Sequence, residues 1–280
     1  MRYPAVAGKF YPSNPEELKK TIKDLFLGPF GPGVLPHSFT GEKNIIGVVS
    51  PHAGYIFSGQ VAAYSYLEMS MGERPDTVVI MGPNHTGMGS SLAVTEQDYI
   101  TPLGVALTDK EMVESILSHG NGAIEEDARA HRYEHSVEVQ VPFIQYIDPK
   151  IRIVPVVMMV QEPQYAETLA RAIELAAEEL GRNVQVVAST DFSHYVPPDV
   201  AERKDSMAID KVEEMDPKGL YSTVRRNRIS MCGYGPVMAL MNIALNKGGR
   251  AELLKHATSG DVEPMPEVVG YASIAFYGRD

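Results

Sequence analysis

Short apolar segments with strand character alternate along this chain with longer segments of helical periodicity. The predicted strands occupy residues 44–50, 77–81, 92–95, 99–107, 151–160, 184–188, 251–258 and 268–277. The predicted helices occupy residues 14–28, 58–69, 109–118, 136–147, 163–180, 199–214, 216–227 and 235–246. Such alternation is typical of α/β proteins, and no break in composition interrupts it. We therefore predict one α/β domain over residues 1–280, built on a central mixed sheet.

Particular residues predict how some of these elements begin, end or are placed. Ser58 is expected to cap the helix that follows it, because its hydroxyl oxygen can accept a hydrogen bond from a free backbone N–H. Gly181 is expected to end the helix before it. Pro155 has no N–H to donate inside its strand, which predicts an edge strand or a bulge. Pro142 argues against helical structure in the first half of residues 136–147.

Charge and apolar pattern exclude several classes of protein. The net charge is −11 and no basic run is present, which disfavours a nucleic acid or an anionic membrane as partner. No apolar run reaches the roughly 18 residues of a membrane span. The N-terminal segment is too polar for a signal sequence. The single cysteine, Cys232, rules out an internal disulfide and is typical of a reducing compartment, so we predict a cytoplasmic protein.

Three of the predicted strands lead directly into a loop that carries a histidine. His52 and His85 follow the strands at 44–50 and 77–81, and His194 follows the strand at 184–188. The carboxyl ends of parallel strands open onto the ligand crevice of an α/β sheet, so the three imidazoles are expected to converge. Imidazole is the commonest metal ligand and the usual acid or base near neutral pH, which predicts a metal or acid/base site. The alternative for each is a turn histidine held by a local hydrogen bond.

A carboxylate precedes the third histidine by three residues. Asp191 can accept a hydrogen bond from the ring of His194, which would fix the tautomer and raise the basicity of that ring. The alternative is that Asp191 caps the following turn. We favour the Asp–His pair, with His194 as the acid or base.

A second cluster of imidazole and carboxylate groups lies at residues 134–138. Glu134 and Glu138 are four residues apart and would share one side of a helix. His135 and Glu138 can form a ligand pair, or can support a metal site by holding its ligands. For Glu134 the alternative is an ordinary solvated helix start.

Cys232 precedes the last predicted helix, between glycine-rich neighbours. A thiol near a helix N-terminus is expected to have a lowered pKa. The alternative is a small buried apolar residue, although the glycines on either side of Tyr234 argue against an ordinary core position. A hydrolase with Cys232 as nucleophile and His194 as base is also conceivable. His37, His119, His131 and His256 lack comparable settings and are interpreted as surface or structural residues.

Five ordered motifs together resemble the Memo-like family, which in archaea and bacteria is also called AmmeMemoRadiSam system protein B. These motifs are Pro51-His52-Ala53-Gly54-Tyr55, Gly82-Pro83-Asn84-His85, Glu134-His135-Ser136-x-Glu138, Asp191-Phe192-Ser193-His194 and Cys232-Gly233-Tyr234-Gly235. The segments 2–12 and 270–273 match the same family, so the resemblance covers essentially the whole chain.

The resemblance implies a fold similar to that of class III extradiol dioxygenases, with helices on both faces of a central mixed sheet. It also implies a metal pocket formed by His52, His85 and Cys232. Asp191, His194 and His135 would line that pocket and are the predicted catalytic residues. The family name further implies a functional link to a radical-SAM protein.

This ligand set departs from that of extradiol dioxygenases, which hold Fe(II) with two histidines and one carboxylate. A thiolate in the third position favours softer ions such as Cu(I) or Zn and changes the redox properties of iron. We therefore expect a divalent or redox metal, with iron or copper favoured and zinc as a further candidate.

Our leading hypothesis is a metal-dependent redox enzyme that acts on an unidentified small molecule or peptide. Tyr55 or Tyr234 would gate its pocket or donate a hydrogen bond. The second hypothesis is a module that binds a peptide or protein in the same pocket without turnover. The third is a zinc hydrolase, in which a metal-activated water replaces redox chemistry.

Overall fold

The computed structural model describes residues 1–36 and 38–279, so the interpretation of His37 lies outside the described residues. The strands are β1 Ile45–Ser50, β2 Thr77–Pro83, β3 Leu92–Val94, β4 Tyr99–Thr101, β5 Gly104–Ala106, β6 Glu125–Glu126, β7 Arg152–Met158, β8 Val184–Ser189, β9 His194–Val196, β10 Arg250–Thr258 and β11 Val268–Tyr277. The helices are α1 Pro15–Leu27, α2 Tyr55–Ser70, α3 Lys110–His119, α4 Ala128–His131, α5 Val141–Ile147, α6 Pro163–Leu180, α7 Pro198–Glu213, α8 Pro217–Arg226, α9 Tyr234–Asn246 and α10 Ser259–Val262. A short 3₁₀ helix, Glu138–Gln140, leads into α5.

Within the described residues, nine strands form one mixed sheet in the order β10–β11–β1–β8–β2–β7–β3–β6, and β9 pairs with β11. The four central strands β1, β8, β2 and β7 are parallel to one another. These strands are almost entirely buried, which is why they consist of near-continuous apolar runs. Their carboxyl ends therefore lie along one edge of the sheet.

Two apolar cores lie on opposite faces of this sheet, because neighbouring residues of a strand point to opposite sides. Val49 of β1 belongs to the core formed with α3, α6, α7, α8 and α9. Val48 belongs to the core formed with α1, α2 and α5. The predicted α/β fold with a mixed central sheet and helices on both faces is thus confirmed, whereas its relation to extradiol dioxygenases stays a prediction.

Two local predictions need correction. Helix α2 begins at Tyr55 and not after Ser58, whose hydroxyl bonds the carbonyl of Ala53 at 3.0 Å from inside the helix. Pro155 lies in β7, which is an interior strand and not an edge strand. Its missing N–H is tolerated because β3 pairs with β7 only over residues 156–158, so Pro155 has no hydrogen bond to donate to β3. The prediction from Pro142 agrees with the structure, since only the short 3₁₀ helix precedes α5 in this segment and α5 begins at Val141. Pro142 lies in the first turn of α5, where its missing N–H costs nothing.

Among the described helices, none combines the length and the apolar character needed to cross a membrane.

Candidate metal centre

The carboxyl edge of the four parallel strands brings together residues from distant parts of the chain. His52 follows β1, His85 follows β2 and Asp191 follows β8. Cys232 reaches the same place from the loop that precedes α9. One ligand atom from each of His52, His85 and Cys232 lies within 4.8 Å of the other two.

The imidazole of His52 is held in one tautomer by the hydroxyl of Ser189. Ser189 Oγ donates its single proton to the carbonyl oxygen of Ser136 at 2.6 Å, and it accepts a hydrogen bond from Nε2 of Gln140 at 2.7 Å. At His52 Nδ1, 2.8 Å away, Ser189 can therefore only accept. His52 carries its proton on Nδ1 and presents the lone pair of Nε2 to the pocket.

His52 is also kept neutral. Burial, together with the neighbouring imidazoles of His85, His135 and His194, lowers its pKa well below the ordinary value. A neutral imidazole with a free Nε2 is the form that binds metal ions.

The imidazole of His85 is oriented by a carboxylate. Its Nδ1 lies 2.8 Å from Glu134 Oε1, and its backbone N–H donates to Oε2 of the same residue. This arrangement leaves Nε2 as the ring nitrogen that can bind a metal. A carboxylate behind a ligand imidazole fixes its orientation and raises its basicity.

Glu134 is itself a fully used acceptor. Besides His85 it accepts the backbone N–H groups of His135 and Ser136, each at 2.9 Å. Burial would raise its pKa, but the hydrogen bonds from His85 and Ser136 outweigh that effect and hold the pKa at about 2. Although Glu134, His85 and His135 also lie close enough to share an ion, these contacts assign Glu134 to orienting His85.

The thiol of Cys232 completes the group. Its Sγ lies 3.2 Å from Nε2 of His52 and accepts the backbone N–H of Asp191 at 3.2 Å. The predicted lowering of its pKa is wrong for the metal-free protein. Burial, followed by the nearby charge of Asp191, raises the pKa well above the ordinary value, because a thiolate without a metal has little to stabilise it there.

The loop of Cys232 is fixed against the ends of two strands. Gln161, just beyond β7, donates to the Cys232 carbonyl at 2.8 Å and accepts the Gly235 N–H at 2.7 Å. The Gly233 N–H donates to Thr190 Oγ1 at 2.8 Å. These contacts place the sulfur opposite His52.

The structure corrects the predicted pair of Asp191 and His194. Asp191 Oδ1 accepts the backbone N–H of His52 at 2.8 Å, and Oδ2 lies 3.9 Å from His52 Nε2. The ring of His194 donates from Nδ1 to the carbonyl of Ser230 at 2.8 Å. Burial raises the pKa of Asp191 to about 6, against the backbone hydrogen bond from His52, the electrostatic effect of nearby His194 and the backbone hydrogen bond from Ala53, which lower it. Asp191 therefore forms its hydrogen bond with the His52 loop, and its interaction with His194 is electrostatic only.

His135 lies beside the ligand group. Its ring is stacked on that of His85, with 4.6 Å between centroids, and lies 5.4 Å from that of His52. Burial lowers its pKa to about 4, against the opposing charge of Glu134. His135 therefore lies next to His52 and His85, as the family resemblance implies.

Two further expectations differ from the structure. Glu138 does not support the metal site directly, since it pairs with Arg2 and accepts the Tyr11 hydroxyl at 2.6 Å. Tyr55 is buried and donates to the Val139 carbonyl at 2.7 Å, so it cannot gate a pocket. Tyr234 is half-buried against Tyr221.

The other described histidines have partners of their own. His119 pairs with Glu179, His256 with Asp205, and His131 with the Tyr99 hydroxyl. Their interpretation as surface or structural residues agrees with these contacts.

Sequence reasoning missed the residues that orient the two histidines. The sequence motifs assign no role to Ser189 or Gln140, and they leave a solvated helix start open for Glu134, although Glu134 is only 1% exposed. One signal was available for Ser189, which is a polar residue at the end of an otherwise apolar buried strand.

Comparisons with known proteins agree with the motifs. The family model described as Memo-like protein matches residues 2–275. A MEMO1 family protein of Ignicoccus hospitalis is 47% identical, over 99% of this chain and 98% of its own length. A MEMO1 family protein of Methanopyrus kandleri is 46% identical, over 98% of this chain and 98% of its own length. A MEMO1 family protein of Desulfurococcus amylolyticus is also 46% identical, over 99% of this chain and 99% of its own length. The crystal structure of an uncharacterized protein from Escherichia coli K12 covers 77% of this chain and 91% of its own, at 14% identity and a TM-score of 0.48.

Proposed function

Because this chain belongs to the Memo-like protein family, we propose that it is a metal-dependent redox enzyme whose metal is held by His52, His85 and Cys232. The observation that carries the proposal is the locked tautomer of His52, whose free Nε2 lies 3.2 Å from the Cys232 sulfur. His85 adds a second imidazole whose Nδ1 is engaged by Glu134. Two imidazoles and one thiol are a donor set that suits a transition metal.

The exposure of the site supports catalysis over a purely structural metal. The side chain of His85 is 32% exposed and that of His135 is 22% exposed, so solvent reaches one side of the ligand group. Three protein ligands with one accessible side are typical of catalytic sites, whereas structural sites are closed by four.

A redox role requires a redox-active metal, so iron or copper is favoured. The sulfur ligand suits zinc as well, and zinc therefore stays a further candidate. A bound redox metal would supply electron transfer to or from a substrate. Asp191 and His135 would hold or move a proton beside it, and His194 would line the pocket. The substrate as a small molecule or peptide, and the link to a radical-SAM protein, stay predictions.

The test is the metal content of protein purified without oxygen. Wild type and His119→Ala, a control that removes an imidazole outside the site, are expected to hold about one metal ion per chain. His52→Ala, His85→Ala and Cys232→Ala are expected to hold little, since each removes one of three ligands. Equal metal in all five proteins would contradict the ligand assignment.

A zinc hydrolase is the alternative function that the site favours. Three protein ligands with one solvent-accessible side suit a metal-activated water as well as they suit redox chemistry. The redox enzyme and the hydrolase are distinguished by recording the absorption spectrum of the metal-loaded protein while it is reduced and then reoxidised. A reversible spectral change supports the redox enzyme, and bound zinc with no such change supports the hydrolase.

A further inference from the structure

A buried arginine near the N-terminus lies against the loop that orients His85. Arg2 is only 2% exposed. Its guanidinium donates to the His131 carbonyl at 3.0 Å and to the Glu134 carbonyl at 2.6 Å, and it pairs with the Glu138 carboxylate. All three acceptors belong to residues 131–138.

This loop contains the groups that act on the metal ligand. The Glu134 side chain accepts both the ring Nδ1 and the backbone N–H of His85. The Arg2 guanidinium holds the backbone carbonyl of that same Glu134, and it holds the loop again at each end of the stretch from His131 to Glu138. Arg2 therefore contacts the backbone of the residue whose carboxylate orients His85.

Arg2 is itself rigidly placed. Its backbone N–H donates to the Asp98 carbonyl at 2.7 Å, and its carbonyl accepts the Ile100 N–H at 2.9 Å. Its guanidinium lies 4.9 Å from the centroid of the Tyr99 ring. Glu138, the ion-pair partner of Arg2, is also held in place, because its carboxylate accepts the Ala5 N–H at 2.8 Å and the Tyr11 hydroxyl at 2.6 Å.

We propose that Arg2 is a positioning residue for the metal centre, acting through Glu134 on the orientation of His85; this inference rests on the proposed metal function. The planar guanidinium presents several N–H donors in fixed directions and can satisfy three acceptors at once. A lysine ammonium keeps the charge but lacks that fixed geometry. The charge of Arg2 alone is therefore not sufficient for its role.

The test compares Co²⁺ binding by wild type, Arg2→Lys, Glu134→Gln and the double variant. Arg2→Lys is expected to weaken Co²⁺ affinity about tenfold, as changes behind a ligand imidazole commonly do, and to shift the visible Co²⁺ bands. The double variant is expected to bind no more weakly than Glu134→Gln alone, because Arg2 acts through that residue. Arg182→Lys is the matched control, since Arg182 pairs with Asp109 and precedes β8 at the opposite edge of the sheet.

A purely structural Arg2 would give a different result. Arg2→Lys would then lower the unfolding midpoint while leaving Co²⁺ affinity and the visible bands as in wild type, or its effect would add fully to that of Glu134→Gln. Either result overturns the positioning role of Arg2 but leaves the proposed metal function standing. If the wild type does not bind Co²⁺, the proposed metal function is contradicted as well. If Arg2→Lys does not fold, Glu138→Gln weakens the contact of the guanidinium with this loop while keeping Arg2 itself. Co²⁺ affinity and visible bands like those of the wild type in that variant overturn the inference.

Discussion

At the scale of single residues, the two histidines of the centre are oriented by different kinds of partner. His52 donates to a neutral hydroxyl, that of Ser189, whereas His85 donates to the Glu134 carboxylate. A carboxylate increases the electron density on the far ring nitrogen more than a hydroxyl does. His85 is therefore expected to be the stronger nitrogen donor of the pair.

The raised pKa of Cys232 predicts how metal binding depends on pH. The thiol is protonated in the metal-free protein near neutral pH, and a metal binds the thiolate, so binding releases one proton. We expect metal affinity to rise about tenfold per pH unit between about pH 7.5 and 9. His52 adds no proton in this range because its lowered pKa keeps it neutral.

Zn²⁺ affinity measured by competition with a chelator of known pH dependence tests this expectation. Cys232→Ser should bind more weakly and with almost no slope over the same pH range. A flat profile for the wild type would show that no thiol proton is lost, and the sulfur would then not be a ligand.

At the scale of elements, close approach of loops to strand ends builds the pocket. A Cβ at Gly82 of β2 would lie 2.3 Å from Ser136 Oγ, so glycine lets the loop of Glu134 pack against this strand. A Cβ at Gly233 would lie 2.4 Å from the Ser189 carbonyl oxygen at the end of β8. Both loops that face His52 thus require glycine at their contact with the sheet.

Gly233→Ala is expected to push the Cys232 loop away from β8. The added methyl group overpacks this contact, which should cost about 1–3 kcal/mol in unfolding free energy and lower metal affinity about tenfold. Gly54→Ala, beside His52, is the matched control, because its Cβ would find nothing closer than 3.8 Å. Thermal unfolding and Zn²⁺ titration of both variants provide the measurements, and a Gly233→Ala protein that binds Zn²⁺ like the control would contradict this account of the loop.

Most elements could be predicted from the sequence, because apolar runs such as that of β2 and clear helix ends such as Gly181 are local signals. The prediction failed where a contact with another element decides the outcome. Ser58 has the residue type of a helix cap, yet α2 begins three residues earlier, where the Tyr55 N–H bonds the carbonyl of Phe10 at 2.8 Å.

At the scale of the whole molecule, the candidate centre depends on contacts between distant parts of the chain. Cys232 and His52 are 180 residues apart, and His85 and Glu134 are 49 apart. Strand-end position and family resemblance could indicate His52, His85 and Cys232. Neither could indicate that Asp191 contacts the His52 loop and not His194, because that choice follows from how β1 and β8 pair.

The fold also connects the N-terminal segment to this edge of the sheet. Residues of that segment hold Glu138, and Arg2 holds the carbonyl of Glu134. The candidate metal centre is thus formed only when the whole chain is folded. A metal that binds there binds the native state and is therefore expected to stabilise the whole protein against unfolding.

X-ray absorption of the zinc-loaded protein tests the central claim most directly. The account predicts one sulfur ligand at about 2.3 Å and nitrogen ligands at about 2.0 Å, with the sulfur contribution lost in Cys232→Ser. A zinc shell of nitrogen and oxygen alone in the wild type would contradict a centre formed by His52, His85 and Cys232.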